Sequence, residues 1–405
     1  MKIAAIIAEY NPFHNGHKYQ LEKARELLGE DTAIIAIMSG NYTQRGEIAI
    51  ADKTVRAAAA VDCGVNLVLE LPFPYSMSSA EFFSASGVHI ANQLGIVDYL
   101  VFGSESGNLD ELTEVAENMC SDIFKSKIFE LSESEKYKTA GYPTICEEAY
   151  KSLYAKSFTK GLFTPNNILA LEYIKALKTS DSRIIPITIK RDGASYHAEE
   201  IVVHENQSAT AIREALIKGD NSALEYMPEN AKNVFSSAIK EGKMPSDISK
   251  LDTAIISFFR LNSPKSTVDI HDASGGLYNR LCDMSAEATS IFSLTSMTET
   301  KKYTKARIKR AIIYSYLGVT SSDVRTPPRY TQVLAMDTVG RLLMKRIKKM
   351  SGFPVITKPS AYHACSHDII SQKELCNKAD SVFGLTLKSA NSGRFPITFT
   401  PYVKK

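Results

Sequence analysis

Residues 3–28 read IAAIIAEYNPFHNGHKYQLEKARELL, and this stretch decides the fold. Ile3 to Ala8 is a short, isoleucine-rich apolar run, the pattern of a strand buried on both faces. Glu9-Tyr10-Asn11-Pro12-Phe13 is a turn, with Pro12 blocking helix until the chain has bent. From His14 onward, Tyr19, Leu21, Ala24, Leu27 and Leu28 mark an amphipathic helix. The order is strand, sharp turn, helix N-terminus, with His14 and His17 on the first helical turn. A helix N-terminus offers unpaired N–H groups and the positive end of the dipole. Residues three apart share a face, so both imidazoles can address one ligand. Gly16 has no side chain and lets a bulky group approach the backbone. These features suit phosphates. Placed imidazole donors can also stabilise charge building on an α-phosphate under attack. The bland alternative, two surface histidines beside a cap, would serve for one histidine better than for two.

Composition sets the outer limits. A chain of 405 residues has room for about two domains of ~150 residues each. With 44% hydrophobic and 23% charged residues, it has the balance of a soluble globular protein. No apolar run approaches the ~20 residues needed to span a bilayer, so no membrane partner is expected. Glu9 interrupts the first apolar run and no small-residue cleavage site follows, so a secretory signal is not expected. Cys63, Cys120, Cys146, Cys282, Cys365 and Cys376 are scattered without a CxxC pair, which predicts reduced thiols and a cytoplasmic location. A net charge of +3 does not by itself imply a polyanion.

Strand and helix patterns alternate through the first half. Thr32 to Met38 reads as a second buried strand, ending at Ser39-Gly40-Asn41. A helix is predicted from Asp52, a suitable N-cap, to Cys63. Val65 to Leu71 is a third strand stopped by Pro72, and Ser78 to Leu94 is helical. Tyr99 to Phe102 is a fourth strand ending at Gly103, Asn108 to Met119 a helix, and Arg183 to Lys190 a fifth strand. Such alternation implies an α/β fold, a doubly wound, Rossmann-like parallel sheet. Ligands then bind at the carboxyl ends of the strands, where the first turn, Ser39-Gly40-Asn41 and Gly103 all fall. The turn after strand two carries Gln44 and Arg45, followed by Lys53 and Arg56: cations for phosphate, carboxylate or RNA backbone, or else a solvated loop. Asn166 and Asn167 open a helix, where either can simply be its N-cap. Lys190-Arg191-Asp192-Gly193 brings two cations to the end of strand five, and His197 follows closely. Ser208-Ala209-Thr210-Ala211-Ile212-Arg213 places hydroxyls at a helix start with an arginine one turn in, a grip for phosphates or an ordinary cap.

Beyond about Asp220 the chain reads mostly helical. Residues 301–310 hold six basic residues and no acid, and residues 341–349 hold five. Two basic amphipathic helices concentrate charge as RNA-binding surfaces do, unless each is merely a solvated face. His363-Ala364-Cys365-Ser366-His367 holds three metal-capable side chains, but the spacing matches no common zinc site and a fourth ligand is missing. It is taken as structural.

His14-Asn15-Gly16-His17 resembles the HxGH signature of the adenylyl- and cytidylyl-transferase superfamily, whose members attack a nucleotide α-phosphate and release pyrophosphate. The longer string from Glu9 to His17 resembles the bacterial tRNA(Met) cytidine acetate ligase family. Ser39-Gly40-Asn41 with Gln44-Arg45-Gly46, Glu70-Leu71-Pro72, Ala80 to Ser84, and Tyr303-Thr304 with Arg307-Ile308 and Arg310 are similar to that family too. Ser208 to Arg213 resembles the superfamily's ISSTxIR-type motif. Gln332 and Ala335-Met336 depart from the family's pattern and weaken the inference of a tRNA contact there. The resemblance covers nearly the whole chain, most strongly residues 1–215. It implies a nucleotidyltransferase-like ATP-binding domain over 1–220 and a mostly helical, basic tRNA-binding domain over 221–405. It implies catalytic roles for His14 and His17. The implied ATP contacts are Ile7, Ala8, Glu9, Tyr10, Asn11, Pro12, Phe13, His14, Asn15, Gly16, His17, Gln20, Gly103, Asn166, Asn167, Arg191, Ser208, Thr210 and Arg213. RNA contacts are expected at Gln44, Arg45, Lys302, Tyr303, Arg307, Arg310, Lys345 and Arg346. The implied activity uses ATP to activate acetate as acetyl-adenylate and moves the acetyl group to N4 of the wobble cytidine of elongator tRNA(Met). Mg²⁺ is expected with the phosphates, although no carboxylate cluster identifies ligands for a metal. Two other readings stay open: a metabolite adenylyl- or cytidylyltransferase, and a non-catalytic RNA-binding factor with a nucleotide pocket. The oligomeric state is not legible.

Overall fold

The computed structural model describes residues 1–137, 140–191, 208–262, 264, 269–390, 393–394 and 399–404. Five parallel strands form the centre of its sheet: β1 (Ile3–Ala8), β2 (Ala33–Ser39), β3 (Leu67–Leu71), β4 (Tyr99–Ser104) and β5 (Ile185–Lys190), in the order β3-β2-β1-β4-β5. All seven residues of β2 are buried, which is why its run carries no polar alternation. Between the strands lie α1 (Asn15–Leu28), α2 (Lys53–Asp62), α3 (Ala80–Gln93), α4 (Leu109–Cys120) and α5 (Pro165–Thr179). β2 flanks β1 on one side and β4 flanks it on the other. The chain therefore leaves β1 in two directions, and a crevice opens at the carboxyl ends of β1 and β4. The Asp52 N-cap is as expected, its carboxylate accepting from Thr54 N. Several boundaries shift: the second strand runs from Ala33 to Ser39, the third begins at Leu67, the fourth runs through Gly103 to Ser104, the fifth begins at Ile185, and α5 takes Thr164, not an asparagine, as its N-cap.

α6 (Ala209–Ile217) and α7 (Glu229–Lys240) follow, and α7 packs on α2, where Ala231 and Phe235 share a core with Ala57 and Ala60. The small face of α2 lets the helices approach closely. The remainder is mainly helical, with α8 (Asp252–Leu261), α9 (Leu277–Ser285), α10 (Ile291–Thr298), α11 (Lys305–Leu317), α12 (Thr338–Met350) and α13 (His367–Gly384). It also returns to the sheet. β6 (Thr331–Met336) pairs antiparallel with β3, and β7 (Tyr402–Val403) pairs parallel with β6. The expected parallel sheet thus gains an antiparallel edge, and residues 1–220 and 221–405 share one sheet. The apolar part of β6 is only Val333 to Met336, and so short a run cannot be told from a helix segment by periodicity, so β6 had no distinct signal.

Candidate active site

His14 is the N-cap of α1 and folds its ring back over the first turn. Its Nδ1 accepts from Gly16 N at 3.0 Å, and the Nδ1 of His17 accepts from His14 N at 3.2 Å. A neutral imidazole that accepts at Nδ1 carries its proton on Nε2. Each ring therefore keeps one N–H donor, and neither Nε2 has a protein partner among the described residues. The ring centroids lie 4.0 Å apart. Tyr10 and Phe13, both fully buried, wedge His17 at 5.0 and 5.4 Å. Gly16 has a second role beyond opening space for a ligand. A Cβ on it would lie 2.8 Å from His14 Cε1, so the capping ring itself requires glycine here. Tyr10 turns the chain with φ +45°, in the left-handed region that few non-glycine residues adopt outside functional turns. Burial, then Arg191 and Arg213, lower the His14 pKa to about 3. Burial, then His14 and Arg191, lower that of His17 well below the ordinary imidazole value. Both rings are neutral donors at physiological pH.

The structure brings Arg191, Arg213 and Asn166 to the same crevice. Arg213 donates from Nη1 to Asn11 O at 3.0 Å and from Nη2 to Thr210 Oγ1 at 3.2 Å. Ser208 is the N-cap of α6, its Oγ accepting from Ala211 N. Arg191 donates to Asn166 Oδ1 at 3.3 Å. Gly103 lets that arginine lie close over the strand, because a Cβ there would stand 3.1 Å from Arg191 Cγ and press on its stem. Asn167 is committed to the protein instead: Oδ1 accepts from Glu105 N and Ser106 N, and Nδ2 donates to Gly161 O. Glu105, a residue without an assigned role from sequence, accepts from Asn166 N, Asn166 Nδ2 and Asn167 N. A carboxylate from the β4 turn thus caps α5 across space. Ile7, Ala8, Glu9, Asn11, Pro12, Asn15 and Gln20 lie along the end of β1 and the start of α1, with Asn11 Oδ1 accepting from Ile50 N. Asp192, Gly193 and His197 lie outside the described residues.

A hairpin, Tyr42–Thr43 with Glu47–Ile48, overhangs the crevice. Gln44 N donates to Glu9 Oε1 at 2.8 Å, while Arg310 Nη1 donates to Gln44 O at 3.3 Å. Burial raises the Glu9 carboxyl, against the hydrogen bond from Gln44 and the charges of Arg213 and Arg45. Several residues expected to face RNA hold the tail together as well. Arg310 is buried on Asp272 at 2.5 Å, Arg307 donates to Asp272 O and Ser274 O, and Tyr303 and Lys302 both donate to Gly275 O. Lys345 and Arg346 are exposed on α12. That helix packs through Leu343 and Ile347 on Ile3, Ala33 and Leu67, the amino ends of the strands, opposite to His14.

Lys53 and Arg56 are not available to a ligand. Arg56, fully buried, donates to the carbonyls of Glu9, Ser39, Gly40 and Ala51 and so clasps the turns after β1 and β2. Lys53 Nζ lies 2.5 Å from both Glu70 Oε1 and Asp380 Oδ2, and all three are buried. Glu70, Cys376 and Asp380 form the one group close enough for a metal among the described residues. Its cation is already the Lys53 ammonium. Cys365 and His367 sit at a helix start, and the His363 side chain lies outside the described residues.

A family model described as HIGH nucleotidyl transferase matches residues 1–394. The chain is 36% identical over 398 residues to the tRNA(Met) cytidine acetate ligase of Thermoanaerobacter pseudethanolicus, spanning 96% of this chain and 97% of that one. It is 33% identical over 385 residues to the protein of the same name from Acetivibrio thermocellus, spanning 92% of each. Among solved structures, Thermotoga maritima TmcAL bound with alpha-thio ATP superposes with a TM-score of 0.90 at 29% identity, covering 100% of this chain and 99% of that one.

Proposed function

The chain belongs to the HIGH nucleotidyl transferase family and, within it, to the tRNA(Met) cytidine acetate ligases, and on that premise we propose how its residues divide the reaction. The enzyme is an ATP-dependent carbon–nitrogen ligase that forms N4-acetylcytidine at the wobble position of elongator tRNA(Met). In the first step an acetate oxygen attacks the α-phosphorus of ATP, the bond to the β-phosphate breaks, and pyrophosphate leaves. In the second, the cytidine N4 amine attacks the acetyl carbonyl, AMP leaves, and the amine loses a proton.

The observation that carries the division is the pair of neutral Nε2–H donors side by side at the start of α1. They meet charge building on the α-phosphate, where donors fixed in advance are worth more than mobile water. Arg213, Thr210 and Ser208 hold the β- and γ-phosphates, and Arg191 with Asn166 closes the site from the β5 side. Asn167 acts by holding the β4 turn in place. Gln44 and Arg45 present the RNA side of the crevice, with Lys302 and Arg307 beside it and the buried Tyr303 and Arg310 holding that surface in shape; Lys345 and Arg346 meet RNA phosphate elsewhere. Among the described residues the crevice offers no cluster of metal ligands; Mg²⁺ would arrive with the triphosphate, and no step is routed through it. A cytoplasmic location agrees with six free cysteines, and no helix among the described residues is long and apolar enough to cross a membrane.

The test is acetate-dependent ATP–pyrophosphate exchange, with labelled acetate followed into tRNA. Exchange plus label in tRNA is expected. Exchange with another small molecule and no label in RNA would favour a metabolite nucleotidyltransferase. ATP binding without exchange would leave an RNA-binding factor.

A further inference from the structure

The Glu47 carboxylate is shared by two cations from distant parts of the chain. Its Oε2 accepts from Arg213 Nη2 at 3.2 Å, and its Oε1 accepts from Lys309 Nζ at 2.7 Å. Arg213 is 16% exposed and Glu47 33%, so the first pair is partly shielded from solvent. Glu47 cannot drift from α11, because the hairpin tip is pressed onto that helix. Gly46, at φ +78°, sits where a Cβ would lie 2.6 Å from Arg310 N. Burial raises the Glu47 carboxyl, but Lys309 and then Arg213 outweigh it, so the group is ionised.

We propose that Glu47 is a positioning residue: it holds Arg213 in competition with the triphosphate, and Lys309 sets how firmly it holds. The proposal rests on reading Arg213 as a phosphate contact. A carboxylate that shares its charge with Lys309 holds Arg213 less tightly than one left to Arg213 alone. An RNA phosphate that draws Lys309 away therefore turns Glu47 fully onto Arg213 and loosens the hold on the leaving pyrophosphate. RNA seated on α11 favours pyrophosphate release once the adenylate has formed, and so opposes the reverse reaction. Ligand effects of this kind are reciprocal.

The test is ATP titration by calorimetry without acetate, so that nothing turns over. Glu47→Gln removes the competing charge and should lower the ATP Kd about threefold, the scale of a partly exposed ion pair. Lys309→Met should raise the ATP Kd about twofold by leaving Glu47 to Arg213. The double variant should match Glu47→Gln alone, because Lys309 acts only through Glu47. A merely structural Glu47 would weaken ATP binding when replaced. That result, or a Lys309→Met effect that persists beside Glu47→Gln, overturns the proposal. Arg213→Gln separates the two readings. If it leaves ATP affinity unchanged, the phosphate role of Arg213 falls and the proposal falls with it. If it weakens ATP while the Glu47 series behaves otherwise than expected, the proposal alone fails.

Discussion

The tautomers of His14 and His17 have a consequence for pH. An ordinary imidazole at about 6.5 is roughly 90% protonated at pH 5.5 and roughly 3% protonated at pH 8. A mechanism that needed imidazolium donors would lose about thirtyfold across that window. Here the His14 pKa is lowered to about 3 by burial and by Arg191 and Arg213, and that of His17 is well below the ordinary value. The sign follows: a group whose pKa is depressed sheds its proton below the window, so the neutral form is already complete at pH 5.5. The quantity to measure is kcat/KM for ATP in acetate-dependent exchange, which reports the free enzyme's groups. It should vary less than about twofold from pH 5.5 to 8. Replacing His17 with Ala should cost about 10²–10³ at every pH in that range, the scale of one lost transition-state donor. The tRNA affinity should stay near that of the parent. His17→Gln, which can place an amide N–H near Nε2, should retain more than His17→Asn, whose amide sits nearer Nδ1. A thirtyfold fall with an apparent pKa near 6.5 in the parent, absent from His17→Ala, would refute the neutral-donor reasoning.

Lys53→Met leaves Glu70 and Asp380 buried without their cation and should cost about 3–5 kcal/mol by urea denaturation. Adding Glu70→Gln should restore a large part. Gly16→Ala puts a methyl 2.8 Å from His14 Cε1, displacing the ring and lowering exchange by about 10- to 100-fold; unchanged exchange would mean that the His14 cap is not the working geometry. Replacing Lys345 and Arg346 by Ala should flatten the log–log salt dependence of tRNA binding by about two, if each meets a phosphate. An unchanged slope would make their helix a solvated face.

The first half was legible because its information is local. Isoleucine-rich runs of strand length, Asp52 ahead of a helix and Pro72 after a strand each settle their element within a few residues. The HxGH turn was legible for the same reason, since both imidazoles and the amides they engage lie within four residues. The second asparagine of the 166–167 pair was harder. Its side chain is consumed by a turn about sixty residues earlier, and nothing near Asn167 announces Glu105 as a partner. Arg307 and Arg310 share a basic run with Lys305 and Lys309, yet two of the four are tied to the Asp272–Ser274 loop. Composition records the charge and leaves out which charges are already spent.

Sequence by itself determined the α/β class, the position of the crevice and the identity of its two donor imidazoles. Periodicity and turn chemistry act over spans shorter than one strand–helix unit. Tertiary structure decided which polar residues remain free for a ligand. Lys53 is neutralised by Asp380, 327 residues away, and Glu47 is shared between Arg213 and Lys309, 166 and 262 residues away. It also decided that β6 and β7 extend a sheet begun at residue 3 beyond β3. A buried charge must find its counter-ion, and an edge strand its neighbour, wherever the fold brings one near, and sequence separation says nothing about that distance.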